Sequence, residues 1–368
     1  MEEIVISGRP VWAARRQRVE IPTPGNSEVL IKVVAVGLNP KDWKYTEDCT
    51  EAEALNAGDD IAGIVEAVGT DVVDLKPGDR VAGLHRLGEL AGGYAEYALL
   101  PESTFFMLPP TISFESGATL PLACMTAAIS LFQALGLPHC SEPCNDGIPI
   151  LIYGGATAVG AFALQLAGMI GLNPIITIAG AGIPFVKSLD VATHIIDYRA
   201  GDAAYIEGEI NRALGGKKLF KALDCACQRG SWDIIARTMS SGGQLNMLDW
   251  GEVLDWDPEL DVKGSKAWSP PDGVELSFTL VSSAYGVKHD WISCERAVSD
   301  AKFAHDFYRQ MSQLLSAGRL KPHPYTVLSG GLDGILQGLK DLQAGVVSAK
   351  KLVARIEDTI GLVMPGKE

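Results

Sequence analysis

The feature that most constrains the fold of this chain is a glycine-rich turn between an apolar strand and an apolar helix. The strand is residues 150–153, the turn is residues 154–160, and the helix occupies residues 161–170. A phosphate group binds where backbone N–H groups meet at a helix N-terminus and no Cβ prevents close approach. Gly155 and Gly160 allow that approach, with small side chains between them. The spacing is not a clean G-x-G-x-x-G, so a turn required only for packing is the alternative.

The segments that follow this turn alternate between strands and helices. The apolar run 174–179 predicts a strand, and further strands are expected at residues 192–196, 221–224, 243–248 and 276–282. Such alternation predicts a doubly wound parallel sheet with helices on both faces. The acidic, Trp-rich residues 249–272 are interpreted as a surface excursion, in which Pro270 and Pro271 disfavour a helix.

The first third of the chain has a different pattern, with short strands separated by Gly and Pro turns. Strands are predicted at residues 29–37, 61–69, 81–84 and 92–100. Closely spaced strands of this kind predict a compact, barrel-like β domain. Helices are expected within residues 113–135 and at residues 303–317 and 334–343, with a last strand at residues 351–356.

Length and charge exclude several classes of protein. The chain has 368 residues, which favours two domains, and a formal net charge of −14. This acidity argues against a broad nucleic-acid surface and against binding to anionic lipid. No run reaches the about 18–20 apolar residues of a membrane span, and the N-terminus lacks a secretory pattern. A cytoplasmic location with reduced thiols is therefore expected for the seven cysteines.

The residues after the second strand of the predicted parallel sheet bear on which dinucleotide binds. NAD enzymes place a carboxylate there to hold the ribose hydroxyls, but residues 179–183 contain none. A carboxylate would repel a 2′-phosphate, so its absence favours NADP. Lys187, Tyr198 and Arg199 could meet that phosphate. The alternatives are a solvated helix position for Lys187 and a surface ion pair with Asp197 or Asp202 for Arg199.

Metal and serine-hydrolase chemistry lack a pattern in the sequence. The six histidines are scattered and form neither H-x-x-x-H nor H-E-x-x-H with a third ligand nearby. There is also no G-x-S-x-G motif for a nucleophilic serine. No metal site is predicted.

An ordered series of motifs runs along essentially the whole chain. It comprises residues 37–44, 58–65, 77–81, 92–97, 154–160, 196–199, 242–243 and 345–353. The series resembles the quinone-reductase-like branch of the medium-chain dehydrogenase/reductase superfamily. Residues 39–44, 223–225 and 283–286 are most similar to the stand-alone, trans-acting enoyl reductases that serve fungal polyketide synthases.

The resemblance implies an α/β fold, in which a Rossmann doubly wound parallel sheet is inserted in a GroES-like β-barrel domain. The barrel domain would comprise residues 1–134 and 290–368, and the Rossmann domain residues 135–289. Zinc alcohol dehydrogenases have a Cys and a His-Glu pair where this chain has Asn39/Pro40 and Asp59/Asp60, and they carry a four-cysteine lobe that is missing here. The resemblance therefore implies the zinc-free branch.

The same resemblance assigns NADP contacts and a substrate site. The cofactor contacts would be Lys41, Asp42, Lys44, Gly155, Thr157, Ala158, Val159, Gly160, Gly180, Ala181, Gly182, Ile183, Lys187, Tyr198, Met247, Leu248, Val347 and Ser348. The substrate site would involve Thr126, Leu280, Val281, Ser282, Ser283 and Ala284. Relatives often carry a Ser or other polar donors where this chain has residues 180–182, so lost hydrogen bonds to the 2′-phosphate could each cost roughly 1.5–3 kcal/mol.

The implied reaction is hydride transfer from NADPH to the β-carbon of an α,β-unsaturated thioester. Lys44 would stabilise the charge that develops on the thioester oxygen or hold the nicotinamide ribose, and Thr126 would orient the nicotinamide or the substrate. Their structural alternatives are a solvated turn lysine and a helix threonine bonded to its own backbone. The proton for the α-carbon would come from water.

Two other functions stay open at this point. One is a quinone or enone reductase acting on free small molecules, and the other is a non-redox cyclase, isomerase or binding protein that keeps the fold. The expected partner is a polyketide synthase or its carrier-bound substrate, with the protein a monomer or homodimer. Because the chain is acidic, an acidic carrier would need a local basic patch, such as one around Lys217/Lys218 or Lys350/Lys351.

Overall fold

The computed structural model describes residues 1–140, 147–228, 230–248, 270–287 and 292–362. The chain divides into two compact units, Met1–Met125 with Ser282–Glu368, and Thr126–Val281. The first unit is therefore built from both ends of the chain, and the second is formed by one continuous segment. The surface excursion expected at residues 249–272 falls almost entirely outside the described residues.

The first unit is a β structure with a buried apolar interior. Its main sheet has the order β14-β15-β3-β4-β5-β7, with β6 paired to β3. The strands are β3 (Glu28–Gly37), β4 (Asp60–Val68), β5 (Arg80–Leu84), β6 (Tyr97–Pro101), β7 (Phe105–Met107), β14 (Tyr325–Val327) and β15 (Lys351–Arg355). A separate two-stranded sheet contains β1 (Glu2–Ser7) and β2 (Ala13–Arg18). Alternate side chains of β3 and β4, such as Ile31 and Ile61, are fully buried, as strands with one face on a core require.

Four strands of this unit are absent from the sequence-based prediction. They are β1, β2, β7 and β14. β2 has the sequence AARRQR, which lacks the β-branched and aromatic residues that identify strands. Its pairing with β1, whose residues 3–7 are buried, overrides that low propensity.

Helices of the first unit position the loops between strands. They are α1 (Pro40–Thr46), α2 (Phe114–Gly117), α8 (Cys294–Ser316) and α9 (Ile335–Gln343). The N-cap of α8 is Ser293, whose side chain accepts a hydrogen bond from the Arg296 N–H at 3.1 Å. The helix predicted at residues 303–317 begins nine residues earlier in the structure. The prediction missed its first two turns because they are largely polar.

The second unit is a parallel α/β structure. Its strands are β8 (Ile150–Tyr153), β9 (Ile175–Ala179), β10 (His194–Asp197), β11 (Lys221–Asp224), β12 (Gln244–Met247) and β13 (Glu275–Phe278). All neighbours are parallel in the order β10-β9-β8-β11-β12-β13, the doubly wound order of a Rossmann sheet. The helices are α4 (Ala158–Met169), α5 (Ile183–Leu189), α6 (Ala203–Leu214) and α7 (Ser231–Thr238). The last strand ends at Phe278, before the predicted residue 282, because Val281–Tyr285 turns into a 3-10 helix.

Among the described residues, one apolar helical stretch is long and apolar enough to cross a membrane. It is Phe114–Ala134, which includes α3 (Pro121–Ala128) and a π-helical end, Ile129–Ala134. The most apolar 18 residues of this stretch are 89% buried inside the structure, as in the core helix of a folded domain. The stretch is therefore weak support for a membrane segment.

A buried histidine gives the first unit a measurable pH dependence. His323 is 3% exposed, and burial lowers its pKa to about 3, with the Lys351 charge contributing in the same direction. The unfolded chain therefore binds a proton below its ordinary pKa of 6.5, whereas the folded protein does not. Stability from this group is full above pH 6.5 and is lost as the pH falls towards 3.

We expect the His323→Gln variant to flatten the pH dependence of unfolding between pH 6.5 and 5. In that range the wild-type free energy of unfolding should fall by about 1.4 kcal/mol per pH unit more than that of the variant. Urea titrations at a series of pH values measure the difference. His194→Gln, at an exposed position, is the control and should keep the wild-type slope. Equal slopes for the wild type and His323→Gln would contradict the assignment.

Candidate active site

The glycine-rich turn connects β8 to α4, and steric constraints explain its glycines. Gly154 has φ of +83°, a conformation that L side chains rarely adopt. A Cβ on Gly155 would lie 2.1 Å from Thr177 Oγ1, and one on Gly160 would lie 2.2 Å from the Gly154 carbonyl oxygen. Small residues at these positions let α4 approach the sheet closely, which brings its N-terminus over the end of β8.

The start of α4 leaves backbone donors available. Thr157 is the N-cap, and its hydroxyl accepts from the Gly160 N–H at 3.0 Å and donates to the Gly154 carbonyl at 2.8 Å. Among the described residues, the N–H groups of Ala158 and Val159 have no protein acceptor. Two unsatisfied donors at the positive end of a twelve-residue helix suit a phosphate group. The predicted residues Gly155, Thr157, Ala158, Val159 and Gly160 therefore form one local structure that fits a dinucleotide pyrophosphate.

Other predicted contacts of the second unit lie at the same edge of its sheet. Because all six described strands are parallel, their carboxyl ends meet at one edge. Gly180, Ala181, Gly182 and Ile183 follow β9, Tyr198 follows β10, Met247 ends β12 and Leu248 follows it, and Leu280 and Val281 follow β13. The strand order changes direction between β8 and β11, the position where such sheets bind ligands. Met247 is fully buried, while Leu248 and Leu280 are half-buried.

Tyr198 explains why the residue after β9 is glycine. A Cβ on Gly180 would lie 2.5 Å from a carbon of the Tyr198 ring and 2.8 Å from its hydroxyl oxygen. A serine at position 180 would therefore require the Tyr198 ring to move. The Tyr198 hydroxyl lies 2.8 Å from the position of that Cβ. It can therefore supply the hydroxyl donor that a serine at position 180 would have supplied.

Two other basic residues proposed for the 2′-phosphate, Arg199 and Lys187, have different surroundings. Arg199 donates to Asp197 through Nε at 2.9 Å and through a terminal nitrogen at 2.7 Å. These bonds lower the pKa of Asp197 to about 2. The surface-pair interpretation of Arg199 is therefore the one that the structure shows. Lys187 lies exposed on α5.

In the first unit, α1 carries the predicted residues Lys41, Asp42 and Lys44. Asp42 is fully buried, accepts from the Asn39 N–H at 2.8 Å and accepts from the Tyr94 hydroxyl at 2.6 Å. Burial raises the pKa of Asp42 to about 6, against the opposing effect of the Lys41 charge. Lys44 is exposed two residues further along, with its ammonium 5.6 Å from the centre of the Trp43 ring. Asp42 therefore fixes the start of the helix that presents Lys44.

Lys41 belongs to a buried chain of polar contacts. Its ammonium forms an ion pair with Asp59, donates to the Ala57 carbonyl at 2.8 Å and lies 2.9 Å from Asp42 Oδ1. On the other side, Asp59 Oδ1 lies 2.7 Å from His85 Nδ1, and His85 Nε2 lies 3.0 Å from the Leu90 carbonyl. The neighbouring carboxylates raise the pKa of Lys41 despite its burial, so the side chain stays charged.

A second buried ammonium lies at the position that the resemblance compares with zinc ligands. Lys351 Nζ donates to Asn39 Oδ1 at 2.7 Å and forms an ion pair with Asp60. Asp60 also accepts from Asn39 Nδ2 at 2.9 Å and from the Leu122 N–H at 2.6 Å. Lys351 is 5% exposed and Asp60 is fully buried.

These contacts do not fit a zinc ion. Each carboxylate that could bind a cation is already paired with a lysine ammonium, which repels a second cation. The described residues also contain no group of three or more His, Cys, Asp or Glu residues arranged to hold a metal.

The other predicted residues of the site occupy varied environments. Thr126 is 6% exposed on α3, and Val347 and Ser348 lie in the loop between α9 and β15, half-buried and exposed respectively. Ser282, Ser283 and Ala284 are buried in the 3-10 turn after β13. Of the two basic pairs suggested as docking patches, Lys351 is buried, and Lys217 donates to the carbonyls of Gly147 and Asn173 at 3.1 Å each. Neither pair presents two lysines free to meet an acidic partner.

Sequence reasoning missed four polar residues that organise α1 and its surroundings. They are Asp59, His85, Tyr94 and Lys351. Asp59 and Asp60 appeared only as departures from a zinc pattern, and Lys351 as part of a surface patch. A signal was available in the charged residues inside otherwise apolar strands, but their partners lie up to 312 positions away.

Comparison with known proteins places the chain in a family. Residues 25–110 match the alcohol dehydrogenase GroES-like domain. The chain is 32% identical over 342 residues to the trans-enoyl reductase fsr4 of Gibberella fujikuroi, covering 91% of this chain and 92% of that protein. It is 33% identical over 350 residues to the trans-enoyl reductase ACTTS2 of Alternaria alternata, covering 93% and 95%. The chain belongs to the family of the fungal trans-enoyl reductases.

Solved structures confirm the fold of this family member. A putative zinc-dependent alcohol dehydrogenase from Rhizobium etli has a TM-score of 0.77 at 24% identity, covering 99% of both chains. The CurK enoyl reductase has a TM-score of 0.71 at 21% identity, covering 96% of this chain and 99% of that one. A mycobacterial protein, Rv1454c, complexed with NADPH has a TM-score of 0.67 at 22% identity with the same coverage. These likenesses show the fold alone, which is that of the medium-chain dehydrogenase/reductase superfamily.

Proposed function

We propose that this protein is an NADPH-dependent, trans-acting enoyl reductase that reduces an α,β-unsaturated polyketide thioester in secondary metabolism. The observation that carries the proposal is the β8–α4 turn, whose free N–H groups and close-packed glycines fit a pyrophosphate. Membership of the trans-enoyl reductase family supports the reaction. The polyketide synthase that such an enzyme serves is the partner that we propose with it.

NADPH supplies the hydride for the reduction. In the second unit, the N–H groups of Ala158 and Val159 would hold its pyrophosphate, and Tyr198 would hold the 2′-phosphate through its hydroxyl. In the first unit, Lys41 and Lys44 on α1, with Val347 and Ser348, would contact the rest of the molecule. Asp42 would act by fixing the start of α1, since its carboxylate is fully buried.

The residues assigned to the substrate would stabilise the negative charge on the thioester oxygen and orient the reacting groups. When a hydride adds to the β-carbon, the electron pair of the double bond moves towards the thioester carbonyl and leaves negative charge on its oxygen. The exposed Lys44 ammonium would stabilise that oxygen, and the Thr126 hydroxyl would orient the reacting groups. Leu280, Val281 and Ser282 to Ala284 would border the acyl chain. Water would then protonate the α-carbon. No zinc takes part, because lysine ammonium groups pair with the carboxylates at that position.

The experiment that tests this proposal is an NADPH oxidation assay with a panel of α,β-unsaturated acyl thioesters. We expect reduction of thioesters, and we expect Lys44→Ser to lower kcat by about 10²-fold, since one lost donor to a developing oxyanion costs on this order. Lys218→Ser, an exposed lysine of the second unit, is the matched control and should keep wild-type rates. Oxidation with quinones but not with thioesters would instead show a reductase of free small molecules.

Cofactor choice provides a separate prediction at Tyr198. Tyr198→Phe keeps the ring against Gly180 but removes the hydroxyl, so we expect the Kd for NADPH to rise about tenfold or more while the Kd for NADH stays within twofold. Fluorescence titration with each coenzyme measures both values without substrate. A chain that binds neither coenzyme would overturn the proposed reductase and favour a non-redox role. Equal weakening of both would remove Tyr198 from phosphate recognition.

A further inference from the structure

The strand β2 is an edge of the two-stranded sheet in the first unit. It pairs antiparallel with β1, with Ile4 opposite Arg16 and Val5 opposite Arg15. The other side of β1 is occupied, because the Ile4 N–H donates to the Tyr94 carbonyl at 2.8 Å and the Ile6 N–H to the Leu55 carbonyl at 2.9 Å. On the outer side of β2, no other strand among the described residues pairs with it.

The occupied side of β1 fixes which backbone groups of β2 face outward. Residues of an antiparallel pair alternate between bonded and non-bonded positions. Since residues 2, 4 and 6 of β1 turn their N–H groups away from β2, their opposite residues are the non-bonded ones. Those residues are Ala14, Arg16 and Arg18, so their N–H and C=O groups face away from the sheet. Within the described part of the chain these groups have no hydrogen-bond partner.

This open edge is basic on an acidic protein. Residues 9–18 contain four arginines and no carboxylate, whereas the whole chain has a net charge of −14. Arg9 is paired with Asp48, and Arg16 with Glu2 at 3.1 Å. Arg15 and Arg18 are exposed, and neither has an ion pair with any described residue; Arg15 bonds to Gln17 at 2.6 Å. The edge therefore presents two cations that are not neutralised.

Apolar side chains flank the same strand. Val11, just before β2, is 69% exposed, and Ile360 is 75% exposed. Ile360 lies beside the strand, since its carbonyl accepts from the Arg16 guanidinium at 2.8 Å. Unpaired backbone groups, uncompensated cations and exposed apolar side chains at one edge match an extended segment that carries both acidic and apolar residues.

We propose that the outer edge of β2 is a docking site for an acidic, extended polypeptide segment of a partner protein, which adds to the sheet as a third strand. The N–H and C=O groups of Ala14, Arg16 and Arg18 would form the ladder, and Arg15 and Arg18 would pair with the acidic side chains. The site stands apart from the proposed reduction, because none of these residues belongs to the cofactor or substrate site.

A fluorescein-labelled peptide of four Glu-Val repeats tests the proposal against the full chain by fluorescence anisotropy. We expect saturable binding that weakens as salt is raised, because exposed charge pairs are screened. A peptide of four Lys-Val repeats should not bind. The absence of saturable binding, or equal binding of both peptides, would overturn the proposal and leave the arginines as charges that only prevent edge-to-edge aggregation.

Two variants separate the side-chain and backbone contributions. Arg15→Glu/Arg18→Glu should raise the Kd for the acidic peptide at least tenfold. Ala14→Pro keeps every charge and removes one outward N–H, a substitution that an edge strand tolerates, and it should also weaken binding several-fold. Lys218→Glu/Lys302→Glu is the control with the same change in net charge, and it should stay within twofold. Equal effects of the test and control pairs would overturn the site, whereas coenzyme binding should be unchanged in all three.

Discussion

Replacing Lys351 with methionine should lower the free energy of unfolding by about 3–5 kcal/mol, the cost of leaving a buried charge without its partner. Lys351 is 5% exposed and pairs with Asp60, which is fully buried. Methionine matches the length of the lysine stem, so the loss comes from charge and hydrogen bonds and not from a cavity. Urea denaturation of wild type and variant at pH 7 measures the difference.

A second substitution distinguishes charge loss from damage to packing. Lys351→Met/Asp60→Asn removes both charges but keeps an acceptor for the Leu122 N–H, so we expect it to recover most of the stability lost in the single variant. Lys350→Met, at the exposed neighbour, should stay within about 0.5 kcal/mol of wild type. If the double variant is no more stable than Lys351→Met, the ion pair is not the source of the effect. Purified Lys351→Met can also be tested for zinc, because the variant removes the ammonium that pairs with Asp60.

Replacing Gly160 with alanine should abolish coenzyme binding at concentrations that saturate the wild type. The new Cβ would lie 2.2 Å from the Gly154 carbonyl oxygen, so the turn or α4 must shift and the N–H groups of Ala158 and Val159 move with it. Forced overpacking of this kind costs about 1–3 kcal/mol of stability. Fluorescence titration with NADPH measures the binding, and thermal unfolding measures the stability.

Gly155→Ala differs from Gly160→Ala because the new Cβ would clash with a side-chain atom, which a second substitution can remove. Its Cβ would lie 2.1 Å from Thr177 Oγ1, a side-chain atom. Thr177→Ala should therefore rescue part of the coenzyme binding lost in Gly155→Ala, and it should not rescue Gly160→Ala, whose obstacle is backbone. Gly208→Ala, on an exposed helix position with nothing within 4 Å of the new Cβ, is the control and should leave binding intact. Rescue of both glycine variants, or of neither, would contradict the steric explanation.

Much of the fold follows from local sequence patterns. Short β-branched runs such as residues 150–153 and 174–179 place strands at the positions that the structure shows. The glycine turn before α4 could be predicted because steric demand at a helix N-terminus is local. β2 could not, since its charged sequence lacks strand propensity and its pairing partner alone makes it a strand.

The sequence by itself determined the superfamily, the parallel sheet and the glycine-rich turn before α4, because each depends on residues close together in the chain. Only the tertiary structure decided which charges are paired. It placed Lys351 against Asp60, Lys41 against Asp59 and the Tyr198 ring against Gly180, and it left the edge of β2 open. The physical reason is that the sequence does not show whether a lysine is surrounded by water or paired with a buried carboxylate. Burial depends on segments that are far apart along the chain.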